Sequence, residues 1–346
     1  MNKNIKYILL IIPLIALSMH AEIKFSKVGT TSAQFLKIGV GRATGMGEAF
    51  GAIADDASAT FFNPAGLAQL TKREAFLSHI DWISDLSHDY ISVALPLNRL
   101  GVVAFSLTAL TMGDMERLTI DDPTTVIRED DSTGLYFGAM DMAFAVSYAR
   151  QITDKLAFGL TGKAVSQTIY NMSASGAALD LGLLYRTGFK SLRLAASVTN
   201  FGSSMAFSGL ALEFQDTTYQ IRPRARYVTT ANPLPTTFRF GIAYDLIEMP
   251  DNTLTFACDI LHPNDINETI NFGFEYIFRK IFFLRTGYIF NSDPNYAEAM
   301  KYQTGLSAGA GFKTNITPSV DIRVDYCYRD MGWLKGSHRV GAIVGF

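Results

Sequence analysis

Cysteine is almost missing from the chain: Cys258 and Cys327 are the only two among 346 residues. A small domain stapled by disulfides, which needs paired cysteines at close spacing, is excluded. The two also fall on opposite faces of their alternating runs, so their Cβ atoms do not aim at each other as a bridge requires. They read as packing residues. Charge is scarce too. Asp, Glu, Lys and Arg make up 18% of the residues, against about a quarter in ordinary soluble proteins, so much of the surface need not face water. Neither sign dominates, the formal net charge being −2, and nucleic acid finds no basic stripe. His79, His88, His262 and His338 stand singly, without the spacing of metal ligands. Nothing calls for a cofactor. After residue 21 no apolar run reaches the roughly 18 to 20 residues that a membrane helix needs.

What is present begins at the start, MNKNIKYILLIIPLIALSMHA. Lys3 and Lys6 precede an apolar run from Tyr7 to Leu17, and Ala16 and Ser18, or Ala21, follow at cleavage spacing. This predicts a secretory signal peptide over 1–21; the run is too short for a spanning anchor. No cysteine stands near the cleavage zone, which argues against a lipoprotein. An exported chain without a membrane helix is periplasmic, secreted or an outer-membrane barrel.

From about residue 74 the apolar positions recur every second residue, the period of a strand. Phe238, Phe240, Ile242, Tyr244 and Leu246 interleave with Arg239, Gly241, Ala243 and Asp245. Ile270 to Phe278 and Val320 to Tyr328 behave alike, their opposite faces carrying Glu275, Asp321 and Arg323. A soluble sandwich also alternates, but these charged faces are too polar for a sandwich core and suit a lumen, while the aromatic-rich faces suit lipid. Charges inside need partners, and rows of Arg and Asp on neighbouring strands can supply them. About fourteen strands are expected between 74 and 346, an even number that lets an antiparallel sheet close with no backbone left unpaired in lipid. The connections agree: short ones such as 151–154, 187–190 and 248–251 alternate with long ones at 111–138, 204–235 and 291–303. Short periplasmic turns and long outer loops are the rule in such barrels. The expectation is an all-β transmembrane, antiparallel outer-membrane barrel with both termini in the periplasm, ending on the aromatic Phe346.

Residues 22–73 differ. Gly41 to Ala59 reads GRATGMGEAFGAIADDASA, and 63–67 reads NPAGL. This is a Gly-rich piece with a short helix expected around 44–54, then a turn at Asn63-Pro64, because the residue before proline is pushed out of helical space. It is too small for a core of its own and fits inside a lumen, as a plug preceding the barrel at 74–346. With these two motifs the chain resembles the PorV/PorQ branch of the FadL-type outer-membrane barrels. The resemblance implies a fourteen-stranded barrel with an N-terminal hatch, to which Asn63, Pro64 and Ala65 correspond; Gly45, Gly47, Asp55 and Asp56 fall in the same hatch. It covers about 29–70; the rest of the chain matches in pattern alone. It implies fold firmly and function loosely.

Two catalytic-looking patterns fail on context. Gly39, Gly41 and Gly45 lack the spacing and the strand–helix setting of a nucleotide loop. Gly305-Leu306-Ser307-Ala308-Gly309 fits G-x-S-x-G, but alternation continues through it, so Ser307 is a lumen-facing strand residue rather than a nucleophile at an elbow. No enzyme is expected. Asp55 and Asp56 either close the plug or pair with lumen arginines such as Arg285, Arg323 or Arg239. His79, with Leu77 and Asp81, is expected on the inward face of the first strand. The acids of 111–138 (Asp114, Glu116, Asp121, Asp122, Glu129, Asp130, Asp131) read as a solvated outer loop. Loop 204–235 sets Phe207, Leu212, Phe214, Tyr219 and Tyr227 among arginines, a mixture suited to recognising a protein or an amphipathic ligand. The leading expectation is PorV-like handling of exported proteins in type IX secretion, with secretion-system proteins and cargo as partners. The alternative is a FadL-like channel for hydrophobic small molecules such as long-chain fatty acids; a purely structural barrel is the third. Outer-membrane lipid is a partner in every case.

Overall fold

The computed structural model describes residues 27–118, 132–215, 224–291 and 305–346. The expected signal peptide, Asp121, Asp122, Glu129, Asp130, Asp131, Tyr219 and the side chain of Phe214 lie outside the described residues. The alternating runs fold as β1 (Glu74–Asp81), β2 (Leu86–Pro96), β3 (Val102–Met112), β4 (Ala139–Gln151), β5 (Leu156–Ile169), β6 (Met172–Arg186) and β7 (Arg193–Gly202). They continue as β8 (Thr237–Glu248), β9 (Asn252–Pro263), β10 (Thr269–Phe278), β11 (Phe282–Asn291), β12 (Gly305–Asn315), β13 (Asp321–Asp330) and β14 (Gly336–Gly345). Each strand pairs antiparallel with the next, and β14 returns to β1 with Leu77 opposite Ala342. The sheet is a closed antiparallel barrel of fourteen strands, so no edge is left unpaired.

Side chains sort across the wall opposite to a soluble protein. Phe238, Phe240, Phe274, Tyr288, Phe312, Val324 and Tyr326 stand exposed on the outside, while Arg239, Glu275, Arg285, Asp325 and Arg339 are buried within. Cys258 is half-buried and Cys327 buried, both free thiols. Short turns at 97–101, 152–155, 187–192, 249–251, 279–281 and 316–320 form one rim. The opposite rim carries the long connections at 113–138, 203–236 and 292–304. Two ribbons rise there, pairing Met115–Leu118 with Ser132–Phe137 and Glu213–Gln215 with Arg224–Arg226. Beyond the end of β7, Ser208–Gly209 takes its place beside the far end of β6.

Residues 27–73 thread the lumen from the long-loop rim to the short-turn rim. At the first, Val28 N donates to Asn264 O (2.9 Å) and Ser32 N to Pro233 O (2.9 Å). At the second, Phe346 N donates to Arg73 O (2.9 Å). The first described residues therefore lie at the rim opposite the C-terminus. The short α-helix is Ala59–Phe62, not 44–54, and 3-10 turns cover Gly41–Met46 and Pro64–Gln69. Over 47–51 the backbone divides its donors: Glu48 N and Ala49 N bond within the plug, to Ala43 O (2.8 Å) and Met46 O (3.2 Å). Gly47 N also reaches Ser307 Oγ (2.9 Å), and Phe50 N and Gly51 N reach Asp259 Oδ2 of the wall (3.0 and 2.8 Å), so no regular helix forms.

Strand β1 departs from the expected facing. Phe76, Ser78 and Ile80 point inward and are buried, whereas Leu77, His79 and Asp81 point outward. The lumen here is filled by apolar plug rather than water, so Phe76 finds a dry partner inside, its ring against Gly41. An inner face that packs on a plug selects hydrophobes.

Candidate functional site

Inside the short-turn half, three arginines and three carboxylates alternate around a closed circuit. From the plug, Arg42 Nε meets Asp56 Oδ2 (2.7 Å) and Arg42 Nη1 meets Glu275 Oε1 of β10 (3.2 Å). Arg285 Nε of β11 meets Glu275 Oε2 (2.5 Å), and its Nη1 meets Asp325 Oδ1 of β13 (2.6 Å). Arg323 closes the circuit, Nε to Asp325 Oδ2 (2.9 Å) and Nη2 to Asp56 Oδ2 (2.6 Å). Arg285 reaches β13 across β12 because Gly311 has no side chain: a Cβ there would meet both Asp325 and Arg285. Asp55, half exposed, adds a third carboxylate to Arg42. Burial alone would push the Asp56 carboxyl up, but the Arg42 and Arg323 charges and the Ser58 hydroxyl reverse this and hold it below the ordinary carboxylate range. Of the arginines expected to pair with the plug acids, Arg323 does so directly, Arg285 at one remove, and Arg239 elsewhere. Arg42 and Asp325 were not anticipated as site residues; Asp325 carried the signal of inward parity, and Arg42 sat inside the Gly-rich motif.

A second set of contacts fits the plug backbone against glycines of the wall. Asn63 Oδ1 accepts from Ala65 N (3.1 Å), and its Nδ2 donates to Gly51 O (2.9 Å) and to Leu183 O of β6 (3.1 Å). The Asn63-Pro64-Ala65 turn lies so close to β5 and β6 that a Cβ at Gly159 would overlap Pro64 and Ala65, and one at Gly182 would overlap Asn63. Gly47, at φ +62, packs on Gly287 of β11 in the same manner, and Gly45 packs on Gly309 and Cys327. Of the remaining lumen charges, Asp245 pairs with Arg193 (2.7 Å), and Asp321 sits near the short-turn rim with Lys313 (2.7 Å) and Lys72 (3.2 Å). Asp245 has no ion pair with the plug among the described residues, while Asp321 meets its last residues through Lys72.

On the long-loop side of the plug lies a cavity of about 450 Å³. Phe35, Leu36 and Ile38 of the plug, with Trp82, Leu110 and Ile289 of the wall, form its apolar part. Its polar part is made by Glu48, Arg239, Arg329 and Asn271. These charges are already paired: Arg239 Nη1 holds Asp259 (2.9 Å) and Glu48 O (2.7 Å), and Arg329 Nη1 holds Glu48 Oε1 (2.7 Å). The plug segment above the cavity is anchored through Asp265 in the β9–β10 connection. Its carboxylate accepts from Lys37 Nζ (2.8 Å), Gln34 Nε2 (2.9 Å) and Thr31 Oγ1 (3.2 Å). Burial raises the Asp265 pKa, and the Lys37 charge with these hydrogen bonds outweighs it, for a net lowering. Met205 and Leu234 of the long loop pack with Phe35 and Leu36 in one cluster, which Phe207 joins. Phe207, Leu212 and Tyr227 do not line the cavity; Tyr227 is exposed and donates its N–H to Leu212 O (2.9 Å). Arg239, among the strand residues of the cavity, carried the signal of alternation; the plug residues Phe35, Leu36 and Ile38 carried none.

A closed fourteen-stranded antiparallel barrel, apolar outside and plugged by its own N-terminal segment, has the fold of an outer-membrane β-barrel. Residues 13–149 match the model of an uncharacterised protein family (UPF0164). The sequence matches no curated protein. Among solved structures, the chain is similar to the CymD monoaromatic hydrocarbon channel, with TM-score 0.53 and 12% identity over 93% of this chain and 98% of that one. It is similar to the Pseudomonas putida toluene transporter TodX, with TM-score 0.52 and 11% identity over 93% and 98%. The Ralstonia pickettii toluene transporter TbuX gives TM-score 0.50 and 13% identity over 88% and 96%. At such identities the likeness is one of fold.

Proposed function

We propose that the chain is a bacterial outer-membrane channel that admits hydrophobic small molecules from the long-loop side, with the C-terminus and the short-turn rim in the periplasm. The observation that carries this reading is the 450 Å³ cavity, apolar on most sides and closed below by the plug. Its size falls in the range of small-ligand sites, which are concave, mainly apolar and bear a few polar groups. The names of the similar structures, channels for monoaromatic hydrocarbons and for toluene, point the same way. Trp82 lines the cavity and the second tryptophan, Trp333, is exposed at the loop rim. In a Trp333→Phe background, Trp82 fluorescence reports the site. Titration with toluene or a fatty acid should give a saturable change, abolished by Leu36→Phe, which fills part of the cavity without adding a second tryptophan. An unsaturable response to every small apolar molecule tried would exclude the channel reading.

The exposed Leu210, Tyr227 and Val228 of the long loop favour a second reading, PorV-like handling of exported proteins. Against it, the motifs behind that resemblance are spent on packing: Gly47 and Asn63 meet the wall, and Asp56 joins the ion circuit. Those residues serve a hatch whichever solute or cargo the barrel meets. Exported proteins sharing one C-terminal domain, recovered with the gently purified barrel, would restore the second reading over the first.

A further inference from the structure

The six short turns share a property that their length does not require. Each presents a large apolar side chain outward into the surroundings: Leu97 and Leu100, Ile152, Phe189, Met249, Ile281 and Ile316 in turn. In water such a crown would be unfavourable; at the headgroup boundary of a leaflet it is stabilised, because apolar side chains enter the acyl region beside polar ones. The short-turn rim thus sits in the lipid interface rather than standing clear of it.

At one place on this rim the crown meets unpartnered positive charge. Arg99, in the β2–β3 turn, and Arg150, near the end of β4, line a recess of about 390 Å³ floored by Leu70 of the plug exit and by Val102. Both arginines are exposed. The side chain of neither makes an ion pair or hydrogen bond among the described residues, unlike the arginines of the lumen. Arg150 has the outward parity of Tyr148, whose hydroxyl donates to Leu100 O (2.6 Å), so the turn bearing Arg99 is tied to the strand bearing Arg150.

We infer that Arg99 and Arg150 form a binding site for the phosphate of an anionic phospholipid in the leaflet facing the short turns. A guanidinium pair offers forked donors that match phosphate oxygens, the recess accepts the headgroup, and Leu97 and Leu100 lie where the glycerol and first acyl carbons would run. This inference rests on the membrane barrel alone and is indifferent to what occupies the lumen cavity. A soluble phosphate shares the headgroup chemistry but has no use for the leucines.

The test places the full barrel in nanodiscs mixed from phosphatidylglycerol and phosphatidylcholine, then counts retained lipid by native mass spectrometry. Wild type should keep phosphatidylglycerol selectively. Arg99→Gln/Arg150→Gln should lose that selectivity by roughly thirty-fold, taking two arginines at the usual contribution of a basic residue to anionic-lipid binding. Leu97→Ser/Leu100→Ser should weaken retention while leaving binding of inorganic phosphate unchanged. Equal retention of both lipids by wild type, or undiminished selectivity in the arginine variant, overturns the site. Displacement of the lipid by millimolar inorganic phosphate with no effect of the leucine change assigns the site to a soluble anion and overturns the lipid reading. Both arginines are exposed, so folding is unaffected, which a heat-modifiable band on electrophoresis verifies.

Discussion

Arg42 has few ways to be replaced. It is buried, stacks on the Phe50 ring at 4.8 Å, and neutralises carboxylates of both plug and wall. Removing one partner of such a group leaves the other charges buried and uncompensated, at a cost of about 3–5 kcal/mol. Arg42→Gln should therefore loosen the plug by that order, read as a lowered unfolding midpoint in detergent, while Arg99→Gln, on an exposed residue, should shift it little. Acid supplies a second measurement. The folded-state pKa of Asp56 is depressed below its ordinary value of 3.8, so its contribution is complete above about pH 4 and fades as pH falls through the still lower folded value. Protease access to the plug should rise only well below pH 4, and Asp56→Asn should loosen the plug near neutrality and flatten that acid step. At this scale the sequence was half legible. Inward parity marked Arg239, Glu275, Arg285 and Arg323 as lumen charges. Which carboxylate each would meet depends on strand stagger and on gaps such as Gly311, and no periodicity encodes those.

Elements were easier to read than residues, and the reason is geometric. A strand whose outer side meets lipid has to show apolar side chains there at every second position, so the fourteen runs stand out along the chain. β4 opens at Ala139, directly after the long connection expected at 111–138, and β9 at Asn252, directly after the short one expected at 248–251. The plug was the harder element: its 3-10 turns are shaped by bonds to Ser307 and Asp259, which lie more than two hundred residues away. The wall glycines offer a direct probe of that fit. A side chain at Gly287 would overlap Gly47 N and Met46 C, whereas one at Gly162, on the outer face, meets nothing within 4 Å. Gly287→Val should dislodge the plug while the barrel still closes through its backbone pairing. Planar-bilayer conductance should then rise several-fold over wild type. Gly162→Val should match wild type in both folding and conductance; equal conductance of both variants would mean the plug does not rely on this seam.

For the whole molecule, the two halves of the plug differ in how firmly they are held. Below the cavity, the charge circuit, the Asn63 bonds and the glycine seams bind it to β5, β6, β10, β11 and β13. Above it, residues 27–38 are held by Asp265, Glu268 and Gln167, by a few backbone bonds to the loops and by the apolar cluster around Phe35 and Leu36, with no closed circuit of buried charges among the described residues. Expelling the lower half would strand several buried charges at once, each costing about 3–5 kcal/mol, far beyond what binding a small apolar solute returns, since even efficient small ligands gain at most about 1.5 kcal/mol per heavy atom and usually much less. A solute reaching the cavity must therefore leave it without the lower plug moving as a body. Gly45 allows this to be tested, because a Cβ there would stand 3.1 Å from the Cys327 sulfur, close enough for a Gly45→Cys variant to form a disulfide on oxidation. The oxidised protein should bind solute as wild type does and still pass it in a liposome uptake assay, within a factor of two. Uptake that stops on oxidation and returns on reduction would show instead that the lower plug has to swing away from β12 and β13.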